Sequence, residues 1–214
     1  MHGRDAPPWW LAYLVRATIG AVLLRLFRVR FLNAGNVPAG GAILAGNHVS
    51  YLDPILLWSG GPRPVHFVAK SELWQSRFFG WCLDQFWAFP IDRAGADRQA
   101  ISTATALLEH GELIGMFPEG TRKRGDTADL GEAHGGVAFI AMRANVPVVP
   151  VGIVGTQAAW PAGQKRPRFV PVTMSFGSPI DPDDFAGSRK ERVAAMTSSI
   201  MGSIDEQRSV AKEG

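Results

Sequence analysis

From Gly35 onward the chain alternates short apolar runs with longer stretches of helical pattern. That alternation restricts the fold more than any other feature. The runs at 42–45, 65–69, 89–91, 113–117, 148–153 and 170–176 have the length of buried strands. Between them, 54–58, 73–87, 98–110, 136–144 and 189–208 have helical pattern, and Gly111 follows the third of these as a helix stop. A strand followed by a helix and another strand returns the chain in the same direction. Repetition of that unit predicts an α/β fold with a mixed, largely parallel sheet flanked by helices. Such sheets place their sites in loops at the carboxyl ends of the strands. At 214 residues, with no internal repeat and no low-complexity linker, one globular unit is expected.

Residues 1–30 differ from the rest. The stretch 9–29 is apolar and interrupted by Gly20, Arg16, Arg25 and Arg28. Nineteen helical residues reach about 28 Å, near the thickness of a hydrocarbon core. Arg16 falls mid-stretch, where a charge costs roughly 2.5–3.5 kcal/mol in a bilayer. The favoured expectation is therefore an N-terminal membrane-associating helix lying in one leaflet; a single span, a soluble core helix and a cleaved signal peptide are the other readings. This divides the chain into 1–30, the membrane-associating helix, and 31–214, the α/β domain.

The five arginines of 1–30 face a single acid there, Asp5, although the whole chain carries only +3. A basic excess beside an apolar segment suits an anionic membrane surface. A total of +3 gives no reason to expect nucleic acid as a partner. One cysteine, Cys82, excludes an intrachain disulfide and a cysteine-based zinc site, and fits a reducing compartment. It lies among Trp81, Leu83 and Phe86, as a core residue would. The expected location is the cytoplasmic face of the cell membrane, peripheral or monotopic.

Two stretches carry chemistry. Asn47-His48-Val49-Ser50-Tyr51-Leu52-Asp53 follows the run at 42–45. A neutral His takes a proton from a hydroxyl near pH 7, and a carboxylate on its other ring nitrogen fixes the tautomer. Asp53 reaches back to His48 if Pro54 lies in the first turn of a helix. Taken alone, the same spacing fits Asp53 as a helix cap beside a buried histidine. There is no G-x-S-x-G elbow, so the His has no serine nucleophile of that kind to activate. The second stretch, Phe117-Pro118-Glu119-Gly120-Thr121-Arg122, follows the run that begins at Leu113. Its Arg suits phosphate and its Gly lets backbone N–H groups approach an anion. The alternative is a surface turn with Glu119 and Arg122 paired. Asp92-Arg93 raises the same pair of readings.

In order, these two stretches, Phe89-Pro90-Ile91-Asp92-Arg93 between them, and Val146-Pro147-Val148-Val149-Pro150-Val151 after them resemble the four motifs of glycerolipid acyltransferases, closest to the bacterial PlsC-type 1-acyl-glycerol-3-phosphate acyltransferases. The resemblance covers roughly 29–180. It implies that His48 deprotonates the acceptor hydroxyl with Asp53 as orienter. Arg93, Glu119, Gly120, Thr121 and Arg122 would hold the glycerol phosphate of lysophosphatidate. The donor would be acyl-CoA or acyl carrier protein, membrane lipids would be partners, and neither metal nor cofactor would be required. Another lysolipid, a glycolipid or an amino-acid lipid as acceptor, a lipid-ester hydrolase, and a non-catalytic lipid-binding protein are the other readings. Trp87 stands where many members of that family have glycine. His134-Gly135-Gly136 stands where a Lys-containing, Gly-rich turn is common. The aromatic set Trp74, Phe78, Phe79, Trp81, Phe86 and Trp87 is open to three readings: core, lipid-facing surface or acyl-chain tunnel. Trp160 with Lys165, Arg166 and Arg168 reads as a lipid-facing or donor-binding loop, or as a solvated basic one.

Overall fold

The computed structural model describes residues 9–91, 98–120, 130–131, 133–160, 164 and 166–214. Helix α1 (Trp9–Val15), a π-helical turn (Arg16–Gly20) and α2 (Ala21–Leu26) follow one another without a break. Then come β1 (Arg30–Leu32), β2 (Ala42–Gly46), α3 (Leu52–Gly60), β3 (Val65–Lys70), α4 (Arg77–Gln85), β4 (Ala88–Ile91), α5 (Arg98–Glu109) and β5 (Leu113–Met116). The chain ends with α6 (Gly136–Ala144), β6 (Val148–Val154), α7 (Thr156–Ala159), β7 (Thr173–Phe176) and α8 (Arg189–Glu213).

The seven strands form one sheet in the order β1-β7-β6-β2-β5-β3-β4. β6, β2, β5, β3 and β4 run parallel to one another. β7 is antiparallel to β6, and β1 is parallel to β7. The α/β fold with a mostly parallel mixed sheet is as expected.

β2 lies near the middle of this order and every one of its residues is buried. Its side chains alternate between two cores. Ala42 and Leu44 pack with Leu56, Leu57 and Trp58 of α3 and with Val149 and Val151 of β6. Ile43 and Ala45 pack with Ala104 and Leu108 of α5, Ala138 of α6, and Met196 and Ile200 of α8. A strand covered on both faces reads as an unbroken apolar run. Burial of each large apolar side chain contributes about 1.5–3 kcal/mol. α8 comes so close to β6 that a side chain at Gly152 would collide with the backbone of Gln207 and Arg208.

Several boundaries differ from the sequence reading. β1 was not anticipated, because three edge residues, none of them fully buried, carry little pattern. The strand expected at 170–176 starts at Thr173, after Pro171, which has no N–H to give a ladder. The single helix expected over 73–87 is a 3₁₀ segment (Ser71–Gln75) followed by α4, and the chain turns at Trp87 with φ 50°.

The N-terminal helix packs on the domain. Arg16 donates from Nε to the carbonyl of Trp58, 2.8 Å, and from Nη2 to that of Gly61. These carbonyls lie at the end of α3, where helix C-terminal C=O groups lack partners. A charge that would be costly in lipid therefore has a protein role. A side chain at Gly20 would press on Ser59, and Tyr13 sets its ring edge-on to Trp87 at 5.3 Å. Among the described residues no helix is long and apolar enough to cross a membrane.

Candidate active site

The site begins where β2 stops pairing. β2 and β6 are in register through Gly46 and Val151. At the next step Asn47 replaces the ladder with its side chain. Its Nδ2 donates to the carbonyl of Ile153 at 3.0 Å, and its Oδ1 accepts the N–H of Ile153 at 2.7 Å. An amide side chain thus supplies the donor and the acceptor that a strand residue would. The backbone is then free to leave the sheet, and the following residue, His48, is presented at the carboxyl edge.

Asp53, buried in the first turn of α3, gathers the segment back. Its Oδ2 accepts the N–H of Val49 at 2.8 Å, the N–H of Ser50 at 2.7 Å and Nδ1 of His48 at 2.9 Å. Cap and orienter are alternatives in the sequence; in the structure the oxygen orients His48 and ties down the loop ahead of α3, whose N-cap, Tyr51, has no side-chain cap bond. A carboxylate on Nδ1 assigns the proton to that nitrogen and leaves Nε2 with a lone pair. Nε2 has no hydrogen-bond partner among the described residues, and the side chain is 16% exposed. One face of the imidazole is covered by Phe117, stacked at 4.1 Å and 16°. Phe117 lies in turn over Phe67 at 6.3 Å and 17°.

Glu119 joins the two motif segments. Its Oε1 accepts the N–H of His48 at 3.0 Å and its Oε2 the N–H of Gly131 at 2.9 Å. Both oxygens of a buried carboxylate are therefore committed to backbone donors, which offsets the cost of removing the charge from water. Gly120 closes a turn by donating to the carbonyl of Phe117, at φ 65°. His134 packs so tightly on Gly120 that a Cβ there would lie 2.9 Å from its ring. The N–H of His134 donates to the carbonyl of Pro118 at 2.9 Å. α6 starts two residues later, so its N-terminal end lies beside the Gly120 turn.

On the β6 side the site is bounded by Ser50, whose hydroxyl donates to the carbonyl of Trp160 at 3.4 Å. The rings of Tyr51 and Trp160 lie 6.4 Å apart. Of the residues singled out from sequence, the structure brings together His48, Asp53, Glu119 and Gly120. Arg93, Thr121, Arg122 and Lys165 lie outside the described residues. Asn47 and Phe117 belong to the two motif stretches without a role assigned to them there, and Gly131 to neither; their contacts span sequence distances that no local pattern reveals. Cys82 is half-buried, and burial raises its thiol pKa. The aromatic set divides. Phe78 and Trp81 are exposed, whereas Phe86 and Trp87 pack on Trp58.

A loop-borne His held by an Asp beside a Gly turn occurs in more than one enzyme class, and comparison with known proteins decides between them. The family model described as Acyltransferase matches residues 28–154, a segment that includes the His48–Asp53 and Glu119–Gly120 segments.

The chain belongs to the acyltransferase family.

Within that family it is 34% identical over 181 residues to the 1-acyl-sn-glycerol-3-phosphate acyltransferase of Bacillus subtilis, covering 83% of this chain and 87% of that one. The enzyme of the same name from Streptococcus pneumoniae is 34% identical over 161 residues, 74% of this chain and 57% of its own length. Among solved structures, the 1-acyl-sn-glycerophosphate acyltransferase PlsC from Thermotoga maritima superposes with a TM-score of 0.72 at 26% identity, over 91% of this chain and 80% of that one. The resemblance carried by the four motifs thus holds for both sequence and fold.

Proposed function

We propose that this acyltransferase moves a fatty acyl group from an acyl thioester to the free hydroxyl of lysophosphatidate, giving phosphatidate. The observation that carries the mechanism is the 2.9 Å contact between His48 Nδ1 and Asp53 Oδ2, with Nε2 left open. Nε2 takes the proton as the hydroxyl oxygen attacks the thioester carbonyl. The C–O bond forms, the C–S bond breaks, and the proton passes from His48 to the departing thiolate. Asp53 stabilises the imidazolium in between. The donor, acyl-CoA or acyl carrier protein, is a substrate, and the sequence of steps calls for no cofactor. Orientation of two bound reactants is the main source of rate, since effective molarities of about 10⁵ M or more are attainable.

The acceptor's glycerol phosphate is assigned to Arg93, Gly120, Thr121 and Arg122. Glu119 serves that site by holding the backbone of His48 and Gly131. The chain is further proposed to work at the cytoplasmic face of the membrane. Trp10, Leu14, Ile19, Val22 and Leu26 of the N-terminal helix are exposed, as are Phe78 and Trp81 of α4. Exposed apolar groups of this number support a lipid-facing surface.

The test is transfer by purified protein in detergent, with lysophosphatidate, glycerol 3-phosphate and an uncharged lysolipid as acceptors. His48→Ala should lose most of the activity on lysophosphatidate with its melting temperature nearly unchanged, and Asp53→Asn should lose a large factor too. Retention by His48→Ala of more than a tenth of the rate, about 1.4 kcal/mol of barrier, would remove His48 as the base. Preference for an uncharged acceptor would remove lysophosphatidate. Val22→Glu with Leu26→Glu should reduce binding to anionic vesicles, and unchanged binding would move the lipid contact elsewhere.

A further inference from the structure

The β6–β7 flank of the site has a charge pattern that the reaction as described leaves unused. Two long stretches of the chain, 6–52 and 133–180, contain no Asp or Glu. The fold brings them together. β1 pairs with β7, so the residues preceding each strand, Arg28 and Phe169 among them, meet at the carboxyl edge of β6. There Arg28 Nη2 donates to the carbonyl of Phe169 at 3.2 Å, and Phe169 rests its ring on Phe27 at 5.4 Å. Arg168 is the residue before, and its N–H donates to the carbonyl of Ala159 at 2.7 Å. Arg28, Arg166 and Arg168 are all exposed, and none has a carboxylate partner among the described residues. Cations gathered without an anion repel one another, so the arrangement favours a negatively charged ligand.

Two further features mark this corner. Arg28 has φ 44°, a left-handed backbone that a non-glycine residue adopts at a cost of roughly 1–2 kcal/mol. An outlier of this kind is where function is to be sought. The arginines are also linked to the reaction centre by an aromatic path. Ala159, which holds Arg168, precedes Trp160, and Trp160 is fastened to Ser50 and faces Tyr51, itself 56% exposed.

The sheet order then separates two substrates. The segment assigned to the acceptor follows β5, on one side of β2. The basic and aromatic surface follows β6 and precedes β7, on the other. His48, at the end of β2, lies between them. We propose that Arg28 and Arg168, with Arg166, bind the phosphates of a coenzyme A thioester, and that Trp160 and Tyr51 line the route of its pantetheine arm toward His48. Arginine clusters suit multiply charged phosphates, and neighbouring aromatic faces suit an adenine. The inference rests on the transfer reaction proposed above and names its donor.

The experiment compares the protein with the double variant Arg28→Asn/Arg168→Gln. Asn tolerates the left-handed backbone, so the charge is removed without added strain. Transfer to lysophosphatidate is measured with acyl-CoA and with an acyl N-acetylcysteamine thioester, which has no phosphate. The variant should lose about tenfold in kcat/KM on acyl-CoA, the combined effect of two partly exposed charge contacts. It should change little on the phosphate-free donor, and its melting temperature and binding to phosphatidylglycerol vesicles should be unchanged. Arg28→Lys/Arg168→Lys should recover part of the loss. Equal losses on both donors would overturn the proposal. So would an unchanged acyl-CoA rate accompanied by weaker vesicle binding, which would assign the patch to lipid headgroups. Direct binding of free coenzyme A by equilibrium dialysis separates the two readings. Coenzyme A binding that depends on these arginines, in a protein without transferase activity, would sink the reaction and keep the site. Activity with a carrier-protein donor, without coenzyme A binding, would do the reverse.

Discussion

Arg16 of the N-terminal helix hydrogen-bonds the carbonyl of Trp58, the same helix α3 whose first turn supplies Asp53. One end of α3 orients the base and the other is tied to the segment proposed to meet lipid. Burial pulls the Arg16 pKa below its usual value, since desolvation disfavours the cation. The bonds to two helix-end carbonyls offset that cost.

Arg16→Met should therefore destabilise the protein, although it makes the 9–29 run more apolar. Loss of two charge-assisted hydrogen bonds predicts about 1.5–3 kcal/mol, read from urea unfolding. Arg16→Lys should recover part of it. An unchanged or raised unfolding midpoint for Arg16→Met would mean that the guanidinium contributes nothing to the fold.

Asn47 should be sensitive beyond its size. Asn47→Ala removes a donor and an acceptor that satisfy a buried peptide, leaving the N–H and the carbonyl of Ile153 unpaired. Each orphaned group costs about 1–3 kcal/mol. Because His48 is the next residue, kcat should fall in addition to stability. Asn47→Asp keeps the acceptor, loses the donor and buries a charge, so it should be no better. Full activity in folded Asn47→Ala would show that the end of β2 positions His48 without this amide.

A pH effect should come from a histidine outside the site. Burial lowers the pKa of His66 from its usual 6.5, and Glu112, at 3.8 Å, opposes this only in part. Above pH 6.5 the group is neutral in both folded and unfolded chains and has no effect. As pH falls below 6.5 the unfolded chain takes up a proton that the folded one resists, so stability drops until the lowered folded value is passed. His66→Gln should flatten that part of the profile in thermal unfolding between pH 7 and pH 5. An identical profile in the variant would place the dependence on other groups.

The parts of the fold that were legible rest on period and length. β2, β5 and β6 are apolar runs because both of their faces are covered, and α6 runs between the ends the sequence predicts. Asp53 was visible because its contacts to His48, Val49 and Ser50 are local. What stayed hidden depends on distant partners. Asn47 meets Ile153, 106 residues away, and Glu119 meets His48, 71 residues away. A carboxylate beside a Gly-Thr-Arg turn looks like a ligand group until the backbone N–H groups it serves are known. Arg16 was read against lipid because the carbonyls it caps are more than 40 residues on. In the sequence Trp87 stands where glycine is common and belongs to the clustered aromatic set. Its left-handed backbone and its contacts with Tyr13, Trp58 and His66 show what it does, which is to secure the N-terminal helix at some cost in strain.

The column of rings from Phe67 through Phe117 to His48 also gives the base a built-in spectroscopic label. An imidazole stacked 4.1 Å from a phenyl ring lies in that ring's magnetic shielding cone, so the carbon-bound protons of His48 should resonate upfield of those of an exposed histidine. Phe117 is set by Phe67, and Phe67 occupies the space that a side chain at Gly115 would need. The resonances of this one part-buried histidine therefore report on the packing of the sheet beneath it, and any loosening of β3 against β5 becomes visible on the ring that does the chemistry.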